Sequence, residues 1–271
     1  MDLELIKKLD YFNMYANLGF QFDGIDKFEK YTIAYHNKIK DYWYNFITDI
    51  QADTKEEFDK IILEATPKMK AKNREVTIAV LPFMQEIYNN RDTYFDDDYE
   101  LASNEVWQIY DDLDNINNIN TNCLLNVKLE KTKNMKLYSE EMIKAYQTGD
   151  ADDPYGDLDS IYKEVYENHK KIKNEYTEEF FFAKVNNEIV GVTSSVYDNE
   201  IYGIYGLAVK KDFRCKGIGK EIIKQQLQMC KDKKLKLVFL QTEEGYYPAD
   251  TYRKLGFKDV CIEYYYIKKD A

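Results

Sequence analysis

Apolar positions recur along this chain in two rhythms, and the alternation sharpens after about residue 120. In the front half Phe58, Ile61, Ile62 and Ala65 keep helical spacing, which predicts a helix over 53–69 with Asp53 as its cap. The β-branched run "VTIAVLPF" (76–83), ended by Pro82, predicts a buried strand. A short helix is expected over 84–90, and "YELASNEVWQIYDD" fits either a strand or a turn segment. Residues 111–122, "DDLDNINNINTN", are polar and without period, and mark the expected domain boundary.

Beyond that boundary "LLNVKLEKT" alternates as a strand, and helices are expected over 139–147 and 158–171, separated by the turn-like "DADDPYGD". "EFFFAKV" and "IVGVTSSVY" form a hairpin across "NNE", and "IYGIYGLAV" is the next strand. Ile218, Ile222, Ile223, Leu227 and Cys230 then keep a helical apolar stripe. "LKLVFLQT" is a buried strand, a short helix starts near Pro248 and stops at Gly256, and "VCIEYYYI" closes the chain as a strand. The order β, α, α, β, β, β, α, β, α, β predicts an α/β fold with a mixed sheet covered by helices. Two domains are expected, 1–121 and 122–271, the first a smaller α/β unit.

Charge changes this picture in one respect. The net charge is −11, and the whole acidic surplus lies in residues 1–121. An acidic front half argues against a nucleic-acid partner, which needs a basic face, and could draw in a cationic substrate. No window approaches the roughly 18 apolar residues of a membrane span. The opening "MDLELIKKLD" lacks the basic-then-apolar layout of a signal peptide, so the expected location is the cytosol. The 4 Cys show no CxxC pairing and read as free thiols. With 2 His and no CxxC, no zinc site is expected.

The stretch "FRCKGIGKEI" (213–222) carries the candidate chemistry. A strand ends at Val209, five cations (Lys210, Lys211, Arg214, Lys216, Lys220) follow with one anion (Asp212), and two glycines lead into a helix. Unpaired N–H groups at a helix start bind phosphates, and glycine lets a ligand approach the backbone closely. The same residues also fit a plain glycine entry loop with solvated lysines. It is not a P-loop, because Glu221 stands where Ser or Thr is required, and it is not a dinucleotide fingerprint, because position 222 is Ile. Gly203 and Gly206 inside a strand predict a bulge or a close backbone approach. Cys215 has basic neighbours, but His169 lies in the charged stretch "ENHKK" and offers it no base, so a cysteine nucleophile is not expected.

Arg214-Cys215-Lys216-Gly217-Ile218-Gly219 fits the pattern Arg/Gln-x-x-Gly-x-Gly/Ala, and "TYRKLGF" (251–257) places a Tyr on a short helix that ends in Gly-Phe. Together, with a strand between them, these segments resemble the GNAT acyltransferase superfamily over residues 123–271. The resemblance implies acetyl-coenzyme A as acyl donor, with its pyrophosphate on the N–H groups of Arg214, Cys215, Lys216, Gly217, Ile218, Gly219 and Lys220. It implies a fourth strand splayed from the fifth, with the pantetheine arm along Leu207, Ala208 and Val209 and the Val209 N–H facing the thioester oxygen. It implies Tyr252 as the acid that protonates the departing thiolate.

The implied activity is transfer of an acetyl group to a primary amine, cationic in keeping with the acidic front half, by direct attack. The alternative is a catalytically silent acetyl-CoA sensor or scaffold. The strand carboxylate common in the superfamily is replaced here by Tyr202 and Tyr205, which leaves Glu200, Glu243 and Glu244 as candidate bases. The front half lacks the glycine knuckle and is open to reading as a degenerate second copy.

Overall fold

The computed structural model describes residues 2–146, 158, 160–168 and 175–269. In chain order the elements are α1 (Leu3–Ala16), β1 (Gly24–Lys27), β2 (Thr32–Tyr35), β3 (Phe46–Thr48), α2 (Lys55–Ala71), β4 (Thr77–Val80), α3 (Gln85–Asn89), α4 (Arg91–Tyr94) and β5 (Tyr99–Tyr110). There follow β6 (Val127–Thr132), α5 (Met135–Tyr146), α6 (Ser160–Asn168), β7 (Thr177–Val185), β8 (Glu188–Tyr197), β9 (Ile201–Val209), α7 (Ile218–Asp232), β10 (Leu237–Glu243), α8 (Tyr247–Lys254) and β11 (Lys258–Lys268). The chain divides into two compact units, Met1–Trp107 with Val260–Ala271, and Gln108–Asp259. The polar segment 111–122, expected as the boundary, contains a 3-10 turn at Leu113–Asn118 within the second unit.

In the first unit the strand order is β1-β2-β3-β4-β11-β5. β4 is buried at every position, as its β-branched run predicts. α2 buries Phe58, Ile61, Ile62, Ala65 and Met69 on one stripe. Its cap is Thr54, not Asp53: the Thr54 hydroxyl oxygen accepts the Glu57 N–H at 3.2 Å, while the Glu57 carboxylate accepts the Asp53 N–H at 3.0 Å. Thr-x-x-Glu closes a reciprocal capping box, which Asp53 one position earlier cannot do. The ambiguous segment near residue 100 is the longest strand, β5, of 12 residues.

In the second unit the order is β10-β9-β8-β7-β6, all antiparallel except β9 with β10. α5 starts at Met135, a turn before the expected Ser139, because the Asn134 side chain accepts the Leu137 N–H at 3.1 Å. α6 covers 160–168 of the expected 158–171; residues 169–171 and the turn-like 150–157 lie outside the described residues. The α7 stripe is buried as expected, with Leu227 and Ile222 fully enclosed. Each such side chain contributes about 2 kcal/mol of burial. Gln226 interrupts the stripe, also fully buried, and is satisfied there: its carbonyl accepts the Tyr202 hydroxyl and its amide donates to Thr193 at 3.4 Å. No described helix is long and apolar enough to cross a membrane.

Candidate functional site

Two backbone irregularities open a cleft in the second unit. Parallel pairing of β9 with β10 runs from Ile201/Leu237 to Gly203/Phe239 and then stops. Ile204–Val209 and Leu240–Glu243 continue without pairing to each other, so the strands part towards their C-terminal ends. On its other side β9 pairs with β8, where the register shifts between Val192 and Ser194 opposite Tyr205–Ala208. Gly206 sits in that bulge at φ +56°, a left-handed conformation that glycine adopts without penalty.

The bulge decides which backbone groups face the cleft. The Lys210 N–H donates to the Val190 carbonyl at 2.9 Å, so residue 210 points at β8. Strand alternation then turns the N–H and C=O of Val209 to the opposite, open side. The Val209 carbonyl accepts the Arg214 Nε–H there at 3.0 Å, which leaves its N–H as a donor on the parted edge.

A 3-10 turn at Lys211–Phe213 leads from β9 to the knuckle. Cys215 and Gly217 both take left-handed conformations, φ +59° and +77°. Alternating backbone of this kind gathers successive N–H groups into a concave anion cradle. Gly217 is the N-cap of α7 and brings no side chain to occupy the first-turn N–H groups. The two glycines differ in what requires them. A Cβ on Gly217 would lie 2.6 Å from the Thr121 carbonyl oxygen, whereas one on Gly219 would meet only the Leu207 Cδ2, at 4.0 Å. Gly217 therefore lets segment 121–123 pack, and Gly219 faces open space beside the parted strand.

The knuckle cations do not all point outward. Lys210 pairs with Glu141 of α5 at 2.5 Å, and Glu141 also holds Lys144 at 2.8 Å. Arg214 donates to the Ala145 carbonyl at 3.1 Å in addition to Val209. Lys216 donates to the Asp212 carbonyl at 2.7 Å and lies over the Phe213 ring. Lys210 and Arg214 thus fix the loop to β9 and α5. Cys215 is exposed. His36, in the first unit, is committed elsewhere: its Nδ1 accepts the Lys38 and Ile39 N–H groups.

Tyr252, on α8, packs with Leu207 against the core formed by Tyr110, Ile204, Leu240, Leu255 and Phe257. The Leu207 Cδ2 also lies 4.0 Å from where a Cβ on Gly219 would stand. Burial, and secondarily the Tyr247 phenol, raises the Tyr252 pKa, so the hydroxyl stays neutral and can donate a proton. Tyr247, at the start of α8, feels Cys215 and Arg214, which sets its ring near the knuckle.

Of the three candidate carboxylates, Glu244 is bound to Arg253, which also holds Asp250 and Asp259. Glu200 precedes β9, at the end of the strand away from Val209. Glu243 ends β10, beyond the point where the strands part, and burial raises its pKa. Three further hydroxyls beside the bulge, those of Tyr138, Tyr166 and Ser194, carried no motif in the sequence.

A side-chain-free helix start and an unpaired strand edge fit an anionic group joined to an extended, hydrogen-bonding chain. Residues 135–257 match a family described as Acetyltransferase (GNAT) family. No curated protein matches the chain. Among solved structures, a functionally unknown conserved protein from Staphylococcus epidermidis ATCC 12228 aligns at TM-score 0.65 and 16% identity, covering 92% of this chain and 95% of that one. A GCN5-related N-acetyltransferase from Kribbella flavida aligns at 0.61 and 11%, covering 92% and 90%. A tandem GNAT protein from the clavulanic acid biosynthesis pathway aligns at 0.56 and 10%, covering 89% and 79%. At these identities the likeness establishes fold, and the GNAT-like α/β fold expected for the second half is the fold found.

Proposed function

We propose that the second unit, in which residues 135–257 match a family described as Acetyltransferase (GNAT) family, transfers an acetyl group from acetyl-CoA to a primary amine. The observation that carries this reading is the parted edge of β9 leading directly into the Gly217–Gly219 knuckle. The pyrophosphate rests on the N–H groups of residues 215–220, and not on that of Arg214 as expected, since the Lys211 carbonyl accepts it at 3.1 Å; the arm lies along Leu207, Ala208 and Val209. The Val209 N–H donates to the thioester oxygen as it gains charge.

The amine lone pair attacks the carbonyl carbon; the C–N bond forms and the C–S bond breaks. Tyr252 gives its phenolic proton to the departing thiolate and regains one from solvent. The proton lost by the amine passes through water to Glu243, whose pKa burial raises. The first unit, with no glycine knuckle, is a degenerate second copy in this reading, supported by the alignment to a tandem GNAT protein over 89% of the chain.

The test is Tyr252→Phe, assayed by release of free thiol from acetyl-CoA with an amine present. A fall in kcat of roughly 100-fold with acetyl-CoA affinity kept is expected. Unchanged kcat removes Tyr252 from the mechanism. Binding without turnover in the unaltered protein favours the silent sensor.

A further inference from the structure

Val209 lies between two peptide groups, and each is held by a different neighbour. The Ala208 carbonyl faces β8: a Cβ on Gly191 would stand 2.5 Å from its oxygen and 3.4 Å from the Val209 Cα. Carbonyl and N–H point opposite ways in a trans peptide. This peptide therefore turns the Val209 N–H away from β8, to the edge where β9 and β10 part. A side chain at 191 would meet the Ala208 oxygen and push that peptide, and the N–H with it, out of place.

The second peptide is gripped on both sides. Its N–H, that of Lys210, donates to the Val190 carbonyl at 2.9 Å, and its carbonyl, that of Val209, accepts the Arg214 Nε–H at 3.0 Å. The same guanidinium donates through Nη2 to the Ala145 carbonyl in the last turn of α5, at 3.1 Å. The Arg214 backbone N–H is bonded to the Lys211 carbonyl at 3.1 Å, so the residue that carries the guanidinium is itself fixed. The Lys210 side chain adds a further tie to α5 through Glu141. A planar guanidinium, with several donors in fixed geometry, suits the bridging of two carbonyls.

We propose that Gly191 and Arg214 are positioning residues that aim the Val209 N–H at the thioester oxygen, and that the Arg214 guanidinium serves this end and not the diphosphate. The inference rests on the acetyltransferase reading. An oxyanion donor is effective when it is oriented in advance, since no reorganisation is then needed as charge develops. The Ala208 peptide sets one side of Val209 and the Arg214 and Val190 hydrogen bonds set the other, so the N–H between them is held in direction. Arg214 thereby ties the knuckle, assigned to the phosphate end of the donor, to the backbone that meets its reactive end.

Acetyl-CoA carrying a heavy carbon isotope at the thioester carbonyl is the probe, because the isotope isolates that stretch in the infrared spectrum of the complex and no acceptor is needed. In the unaltered protein the bound band should lie below that of free acetyl-CoA, the mark of an accepted hydrogen bond. Arg214→Met keeps the apolar stem and removes the donor; it should return the band to the free position with the acetyl-CoA Kd by calorimetry unchanged. Arg214→Gln, whose amide nitrogen stands where Nε does along the side chain, should keep the downshift. Gly191→Ala should lose it; should that variant not fold, the Arg214 pair decides alone. A band at the free position in the unaltered protein, a downshift that survives Arg214→Met or Gly191→Ala, or its loss in Arg214→Gln overturns the inference while leaving donor binding standing. A Kd weakened about tenfold in Arg214→Met, the worth of a lost bond to a charged group, does the same, since it returns the guanidinium to the diphosphate. Failure of the unaltered protein to bind acetyl-CoA overturns the functional reading and the inference with it.

Discussion

Two glycines one residue apart do different work in the knuckle. Gly217 is left-handed and its missing Cβ makes room for the Thr121 carbonyl, so alanine there meets both backbone strain and a backbone clash. Left-handed backbone alone costs about 1–2 kcal/mol for a residue with a side chain. Gly219 meets only a flexible leucine terminus. Gly217→Ala should lower Tm by several degrees and weaken acetyl-CoA binding at least tenfold, while Gly219→Ala should leave both nearly as they were. Equal losses by thermal melting and calorimetry would contradict the assignment. The knuckle was legible in the sequence because glycine spacing is a backbone signal that survives without tertiary context. The burial of Tyr138 was not, because it precedes Ser139, where the helix was expected to start, whereas α5 begins at Met135.

At the scale of elements, β6 to β11 follow the order read from the chain, because long strands and amphipathic helices alternate with clear turns. α1 and β1–β3 carried no assigned pattern. The three strands are 4, 4 and 3 residues long, too short for period-two alternation to stand out. β5 and β11 hold a feature that neither pattern nor propensity marks. Glu263 is 2% exposed and accepts the Trp107 indole N–H at 2.9 Å, with Asp10, Glu105 and Tyr265 in the same electrostatic neighbourhood. Burial raises its pKa to about 7, against the opposing effect of the Trp107 and Tyr265 hydrogen bonds.

The folded state therefore keeps a proton that the unfolded chain releases near the ordinary glutamate value of about 4.3. Stability is fully present below that pH and is lost as pH rises through about 7. The loss is on the order of 3 kcal/mol. Glu263→Gln, which is neutral at every pH and can still accept the indole N–H, should flatten the fall in Tm between pH 5.5 and 8. Identical pH profiles for the two proteins would assign the dependence to other groups.

At the scale of the whole molecule, the last strand belongs to the first unit although its sequence continues directly from the second. Alternation announces a strand but not which sheet it joins, since that choice depends on non-local pairing. The fold class was legible because element order nearly dictates it; the membership of residues 260–271 was not. In the proposed function, the parted strands and glycine knuckle of the second unit bind acetyl-CoA through its diphosphate. Titration calorimetry of the full chain with acetyl-CoA tests this most directly. One site per chain is expected, with an affinity that weakens as salt rises and little binding by Gly217→Ala. No heat and no thermal shift from correctly folded protein, at any salt concentration, would contradict it.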